Sequence, residues 1–159
     1  MVVKVPPAVA AALAEPVTVG VPAQAFPFLT VDDAGVPHCC LLSSTEIAVS
    51  SSSGHDELHV ALAGRRPRTN LEARGTATLL AVAGTTLHSC TLAVAEVVHH
   101  EGVLAAAMTV VDHTEDSLGI ELVPLGFTPP AHLAELEHWD VTAGALAAIG
   151  RRRDGDVRT

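Results

Sequence analysis

Leu58-His-Val-Ala-Leu-Ala-Gly-Arg-Arg-Pro-Arg-Thr-Asn-Leu-Glu-Ala-Arg-Gly-Thr-Ala-Thr-Leu-Leu80 compresses three elements into one stretch. The apolar run 58–63 reads as a strand. Pro67 then stands where a helix starts, Leu71 supplies its apolar contact, and Gly75 stops it, which predicts one or two helical turns over 67–73. Thr76 opens a near-continuous apolar strand to Val82. A strand that gives way to a short helix and returns as a strand crosses from one part of a sheet to another. A simple hairpin does not do this.

Outward from this stretch the chain is punctuated by turns. Asp32-Asp33-Ala34-Gly35 lies between apolar runs at 26–31 and 38–44, and a terminal Gly supplies the left-handed position of a tight turn, so a β-hairpin is expected. A strand at 47–50 precedes the serine run 51–54, read as a loop. On the far side, strands are expected at 87–98, at 103–111 and at 120–127. The turn between the first two falls at His99-His100-Glu101-Gly102, and Asp116-Ser-Leu-Gly119 is expected to turn before the last. Pro7 followed by alanines predicts a short helix at 7–14. Pro129-Pro130 opens a helical segment at 130–149, interrupted near Asp140 and Gly144, with Trp139 placed to pack on the strands. Residues 151–159 read as a charged tail. Many short strands with helices at the margins argue a mainly β fold, a barrel or sandwich, with residues 1–150 as a single domain and its β part at 25–127.

Composition narrows the function classes. The chain has 159 residues, 48% of them hydrophobic, and a formal net charge of -9. Such a surface repels phosphate backbones and anionic lipids, so neither nucleic acid nor membrane is an expected partner. The apolar runs fall short of the roughly 20 residues a bilayer span needs, and Lys4-Val-Pro-Pro interrupts any secretory pattern, which makes the cytoplasm the expected location. Three cysteines make neither a disulfide framework nor a zinc pattern; adjacent Cys39 and Cys40 are expected to face opposite sides of a strand. No glycine-rich dinucleotide motif follows a strand. His55-Asp-Glu-Leu-His59 lacks the Glu that a zinc protease places after its first histidine and reads as an exposed loop; the histidines at 99 and 100 read as solvated. No metal site is expected.

The positive charge is unevenly placed. Residues 1–150 hold five basic and sixteen acidic side chains, and four of the five are Arg65, Arg66, Arg68 and Arg74. Guanidinium binds phosphate or carboxylate in bidentate fashion, and a helix start adds free backbone N–H groups. The cluster is therefore either an anion site or a surface set answering acids such as Glu72 and Asp56.

Three runs, Phe28-Leu-Thr-Val-Asp-Asp-Ala-Gly-Val-Pro-His, Cys40-Leu-Leu-Ser-Ser-Thr-Glu-Ile and the opening stretch, together resemble the pyridoxamine 5′-phosphate oxidase-like family over residues 25–127. The resemblance implies a split β-barrel of six to seven antiparallel strands with short flanking helices. It implies a homodimer with flavin mononucleotide (FMN) in a groove between subunits. By the same resemblance, Arg65, Arg66 and Arg68 hold the phosphate with Thr69 nearby, and Ser43, Ser44 and Ala61 line the groove. The sequence departs from the family where His38, Ser43 and Pro67 replace commonly basic residues. The implied activity is an FMN-dependent oxidoreductase of unknown substrate, with no catalytic residue singled out, since the isoalloxazine carries the hydride chemistry. A non-enzymatic split-barrel dimer holding heme, a deazaflavin or nothing is the other reading.

Overall fold

A computed structural model describes residues 3–52 and 54–156. Its frame is a hairpin of two fifteen-residue strands, β7 (Thr86–His100) and β8 (Val103–Ser117). Irregularities between Thr91 and Leu92 and between Val94 and Glu96 bend this pair, which is how a long flat ribbon acquires the curvature a barrel needs. The other strands are β1 (Ala23–Gln24), β2 (Phe26–Val31), β3 (Pro37–Leu42), β4 (Ile47–Ser52), β5 (His55–Leu62), β6 (Thr76–Ala83) and β9 (Gly126–Phe127). Seven of them form one antiparallel sheet in the order β3-β2-β6-β7-β8-β5-β4, and β1 pairs only with β9. The expected mainly β architecture of six to seven antiparallel strands is the observed one.

Alternation decides what lies inside. Leu58, Val60 and Leu62 from β5 join Phe26, Phe28, Leu79, Leu92 and Met108 in the barrel core. Helix α1 (Pro7–Ala14) packs on β4 and β6 and sends Val9 and Leu13 into that core. The opposite faces of β5 and β8 are also buried, because helix α4 (Trp139–Asp156) lies across them: Ala61, Ala105 and Ala107 meet Ala145 and Ile149. Side chains no larger than methyl at these strand positions let the helix approach closely.

Helix α2 (Arg65–Arg74) connects β5 to β6, as the opening stretch predicts. Gly75 ends it with a φ of 68°, and its N–H bonds to the Leu71 carbonyl. A side chain in that left-handed position costs about 1–2 kcal/mol. Gly75→Val is therefore expected to lower the melting temperature by roughly 3–8 °C, read by circular dichroism.

Several expectations are corrected. The strand placed at 103–111 continues to Ser117, because the polar residues 112–117 complete the pairing that 86–91 require. Asp116 and Ser117 thus belong to a strand, not a turn. The strand placed at 120–127 shrinks to Gly126–Phe127, with Pro124 unable to donate to a ladder and Ile120, Val123 and Leu125 exposed. Ser51 and Ser52 are strand residues of β4; Ser53 lies outside the described residues. The helical segment at 130–149 resolves into a short α3 (Leu133–Leu136) and α4, which passes Gly144 unbroken. Residues 151–156, expected as tail, are its last turns; 157–159 lie outside the described residues.

The stretch from His55 to His59 is also not an exposed loop. The expected strand at 58–63 begins earlier, at His55, and on it His59 and Glu57 are buried under α4. Arg153 donates to both Glu57 carboxylate oxygens, at 2.6 and 3.2 Å, and reaches Glu96 at 3.3 Å. Arg152 also pairs with Glu96. This network fastens the end of α4 to the barrel. Among the described residues, no helix is long and apolar enough to cross a membrane.

Candidate functional site

The four arginines of the sequence cluster divide into two pairs. Arg68 donates to the carbonyls of Gly64 and Gly102, and Arg74 to that of Asp32. These two tie α2 to the β7–β8 turn and to the Asp32 turn. Arg65 and Arg66 are exposed and line a cleft with Asp32, His38, Thr69 and Asn70. Among the described residues no carboxylate lies within ion-pair distance of any of the four. Glu72 pairs with His99 instead, and Asp56 accepts from Ser51. The cluster therefore does not answer surface acids.

The start of α2 reinforces this cleft. Its N-cap is Gly64, with no capping side chain, and Pro67 brings no N–H, so the amides of Arg65 and Arg66 are the open donors. A Cβ on Gly64 would approach the Pro67 ring at 3.2 Å, so the tight entry to the helix suits glycine. Thr69 donates its hydroxyl to the Arg65 carbonyl, and buried Asn70 bonds to Thr30, which fixes the helix against β2.

His38 bridges charge across the cleft. Arg66 Nη1 lies 3.4 Å from His38 Nδ1, and His38 Nε2 lies 2.8 Å from Asp32 Oδ2. Guanidinium can only donate, so Nδ1 is the acceptor and Nε2 carries the proton given to Asp32. That bond, with the N–H groups of Val36 and Ala34, holds the Asp32 carboxyl below its usual range.

The cleft continues along edge strand β3. His38 and Arg66 also border a shallow stretch with Cys39, Cys40 and Pro67. Cys40 and Pro67 border the next, where residues 61–64 face Leu41, Leu42, Glu46 and Glu137. The last four also line the far end, with Leu125, Phe127, Leu133 and Trp139. These neighbouring clefts share lining residues and together form a groove with two guanidiniums at one end and an apolar recess at the other. At that recess the Trp139 Nε1 is buried without a hydrogen-bond partner.

The remaining expected residues are spread around this groove. Ala61 borders its middle. Ser43 borders the apolar end, where its amide and hydroxyl both donate to Glu46. Burial pushes the Glu46 carboxyl above its usual range, outweighing those bonds, and Glu137 adds repulsion. Ser44 faces away, donating to the Glu15 carbonyl in a separate cleft. Cys40 and Cys90 are thiols pushed up to about 11 by burial, which removes them as nucleophiles at neutral pH. His38, which the resemblance aligned with a commonly basic position, lines the cleft. Sequence reasoning did not single out Glu46, Glu137 or Asn70, whose only signal was proximity to β3 or α2, or none for Glu137.

Comparison with solved structures places the architecture. The styrene monooxygenase flavin reductase of Pseudomonas putida S12 superposes with a TM-score of 0.50 at 11% identity, covering 76% of this chain and 95% of that one. The fold is a split β-barrel. The SMa0793 protein of Sinorhizobium meliloti 1021 also superposes with a TM-score of 0.50, at 12% identity, over 73% of this chain and 51% of its own. No protein-family model and no curated protein matches this split barrel in sequence.

Proposed function

We propose that this split barrel binds FMN in the groove along β3 and serves as a flavin-dependent oxidoreductase. The observation that carries the reading is the polarity of the groove: two guanidiniums free of carboxylate partners at an uncapped helix start, and an apolar recess at the other end. Arg65 and Arg66 and their backbone amides suit a phosphate dianion. Leu41, Phe127 and Trp139 suit a flat apolar ring, and the Trp139 N–H is a donor lacking an acceptor. When bound, FMN would supply reversible hydride and electron transfer. The chain's own residues bind, orient and exclude water, and burial holds the Glu46 carboxyl above its usual range at the apolar end.

Titration of the protein with FMN is expected to quench flavin fluorescence at one equivalent per chain, with micromolar affinity or tighter. Absence of quenching and of any change in the flavin absorbance would overturn the proposal. Tight binding of heme or a deazaflavin, with none of FMN, would reassign the same groove to that ligand.

We also propose that the working form is a homodimer. The groove follows an edge strand and stays open on one side, while Leu118, Ile120, Val123 and Leu125 expose apolar surface on residues 118–125. Light scattering is expected to return twice the mass of 16.4 kDa. A mass of one chain at micromolar concentration contradicts it.

A further inference from the structure

The β7–β8 ladder carries a second group of chemically active side chains, separate from the groove. His88 pairs with Glu115 across the two strands and Cys90 with His113, so alternation brings His88, His113 and Glu115 to one face. His88 is buried, His113 half-buried and Glu115 exposed. His88 Nδ1 lies 3.0 Å from His113 Nε2, and Glu115 Oε1 lies 3.8 and 4.0 Å from those two nitrogens. The rings are within 11° of parallel with centroids 5.2 Å apart, so their nearest approach is nitrogen to nitrogen.

Two neutral imidazoles can meet this closely only if one nitrogen keeps a proton and the other offers a lone pair. With that proton released, the two nitrogens and the carboxylate are free to meet one Lewis acid beside the line that joins the nitrogens. The point equidistant from the three ligand atoms falls about 2.1 Å from each, within the zinc–nitrogen and zinc–oxygen ranges. Among the described residues no Lys or Arg pairs with Glu115, so its charge is available to a cation.

We propose that His88, His113 and Glu115 bind one borderline divalent transition-metal ion, of which zinc is the representative. His88 binds through Nδ1 and His113 through Nε2, each ring keeping its proton on the other nitrogen. Water completes the coordination from the exposed Glu115 side. Two imidazoles and one carboxylate leave open positions, the pattern of a reactive site more than of a closed structural one.

The test uses the full chain, stripped with EDTA, with Zn2+ followed by calorimetry and Co2+ by its visible bands. One equivalent is expected to bind with micromolar affinity or tighter. His113→Gln is expected to weaken binding at least a hundredfold and Glu115→Gln about tenfold, each with an unchanged melting temperature in EDTA. His88 is buried and its replacement could unfold the barrel, so the two more exposed ligands carry the test. No saturable binding up to about 1 mM metal, or equal binding by wild type and both variants, overturns the proposal.

Discussion

Arg66→Glu is expected to weaken FMN binding by about 100- to 1,000-fold while leaving the melting temperature within about 2 °C of wild type. A hydrogen bond to a charged partner contributes roughly 1.5–3 kcal/mol, and reversing the charge adds repulsion against the phosphate. The fold does not depend on the side chain: Arg66 is exposed, and among the described residues its one polar side-chain contact is the 3.4 Å approach to His38. Arg68→Glu and Arg74→Glu should behave in the opposite way. Those side chains donate to the Gly102 and Asp32 carbonyls at 2.7 and 2.8 Å, so their loss releases α2 and lowers stability directly. Fluorescence titration beside thermal melts of the three variants separates ligand contact from scaffold. Equal effects of all three on affinity and stability would contradict the division of the cluster into two pairs.

Arg153→Met is expected to destabilise the protein by about 2–4 kcal/mol, because removing one partner of a buried pair leaves the other charge without compensation. Glu57 is 5% exposed and would keep only His59 as a partner. For a chain of this size that corresponds to a fall of roughly 5–15 °C in melting temperature. The pH dependence follows from Glu57. Burial pushes its carboxyl upward, but the hydrogen bonds from Arg153 and His59 outweigh that, and the net effect is a carboxyl held below its usual range. A depressed carboxyl contributes stability above its unfolded value, near pH 4.5, and loses it as pH falls through the lower folded value. The gap between wild type and Arg153→Met is therefore expected to be full at pH 6–7 and to narrow as pH falls below 4.5. A gap that does not narrow in acid would show that the pair does not fasten α4.

The parts of the fold legible in the sequence are those governed by local chemistry. Gly75 after Leu71 and Gly35 after two aspartates read correctly because left-handed turn positions admit few residues. Strand ends were harder to read. The polar residues 112–117 resemble the end of a strand, yet they pair with 86–91, a demand set by partners 21 to 31 residues away. Residues 120–125 resemble a strand by hydropathy and pair with nothing in the sheet. Glu57 and His59 resemble an exposed loop because the helix that buries them arrives almost a hundred residues later, with Arg153 at its end.

The site shows the same limit. Four arginines in ten residues marked a candidate anion site, but nothing in their spacing distinguished Arg65 and Arg66 from Arg68 and Arg74. That distinction depends on which carbonyls the folded chain brings within reach, Gly102 from a distant turn and Asp32 from another. Glu137 and Trp139 entered the groove only through the path of α3 and α4. Ser44, expected on the groove wall, turns instead to the Glu15 carbonyl.

Whether Arg65 and Arg66 receive a phosphate is tested by comparing FMN with riboflavin on the same protein, because the two ligands share the ring and differ in that group. FMN is expected to bind at least a hundredfold tighter than riboflavin, with the preference lost in Arg65→Ala/Arg66→Ala. Equal affinity for the two ligands in the wild-type protein would contradict a phosphate-binding role for the pair.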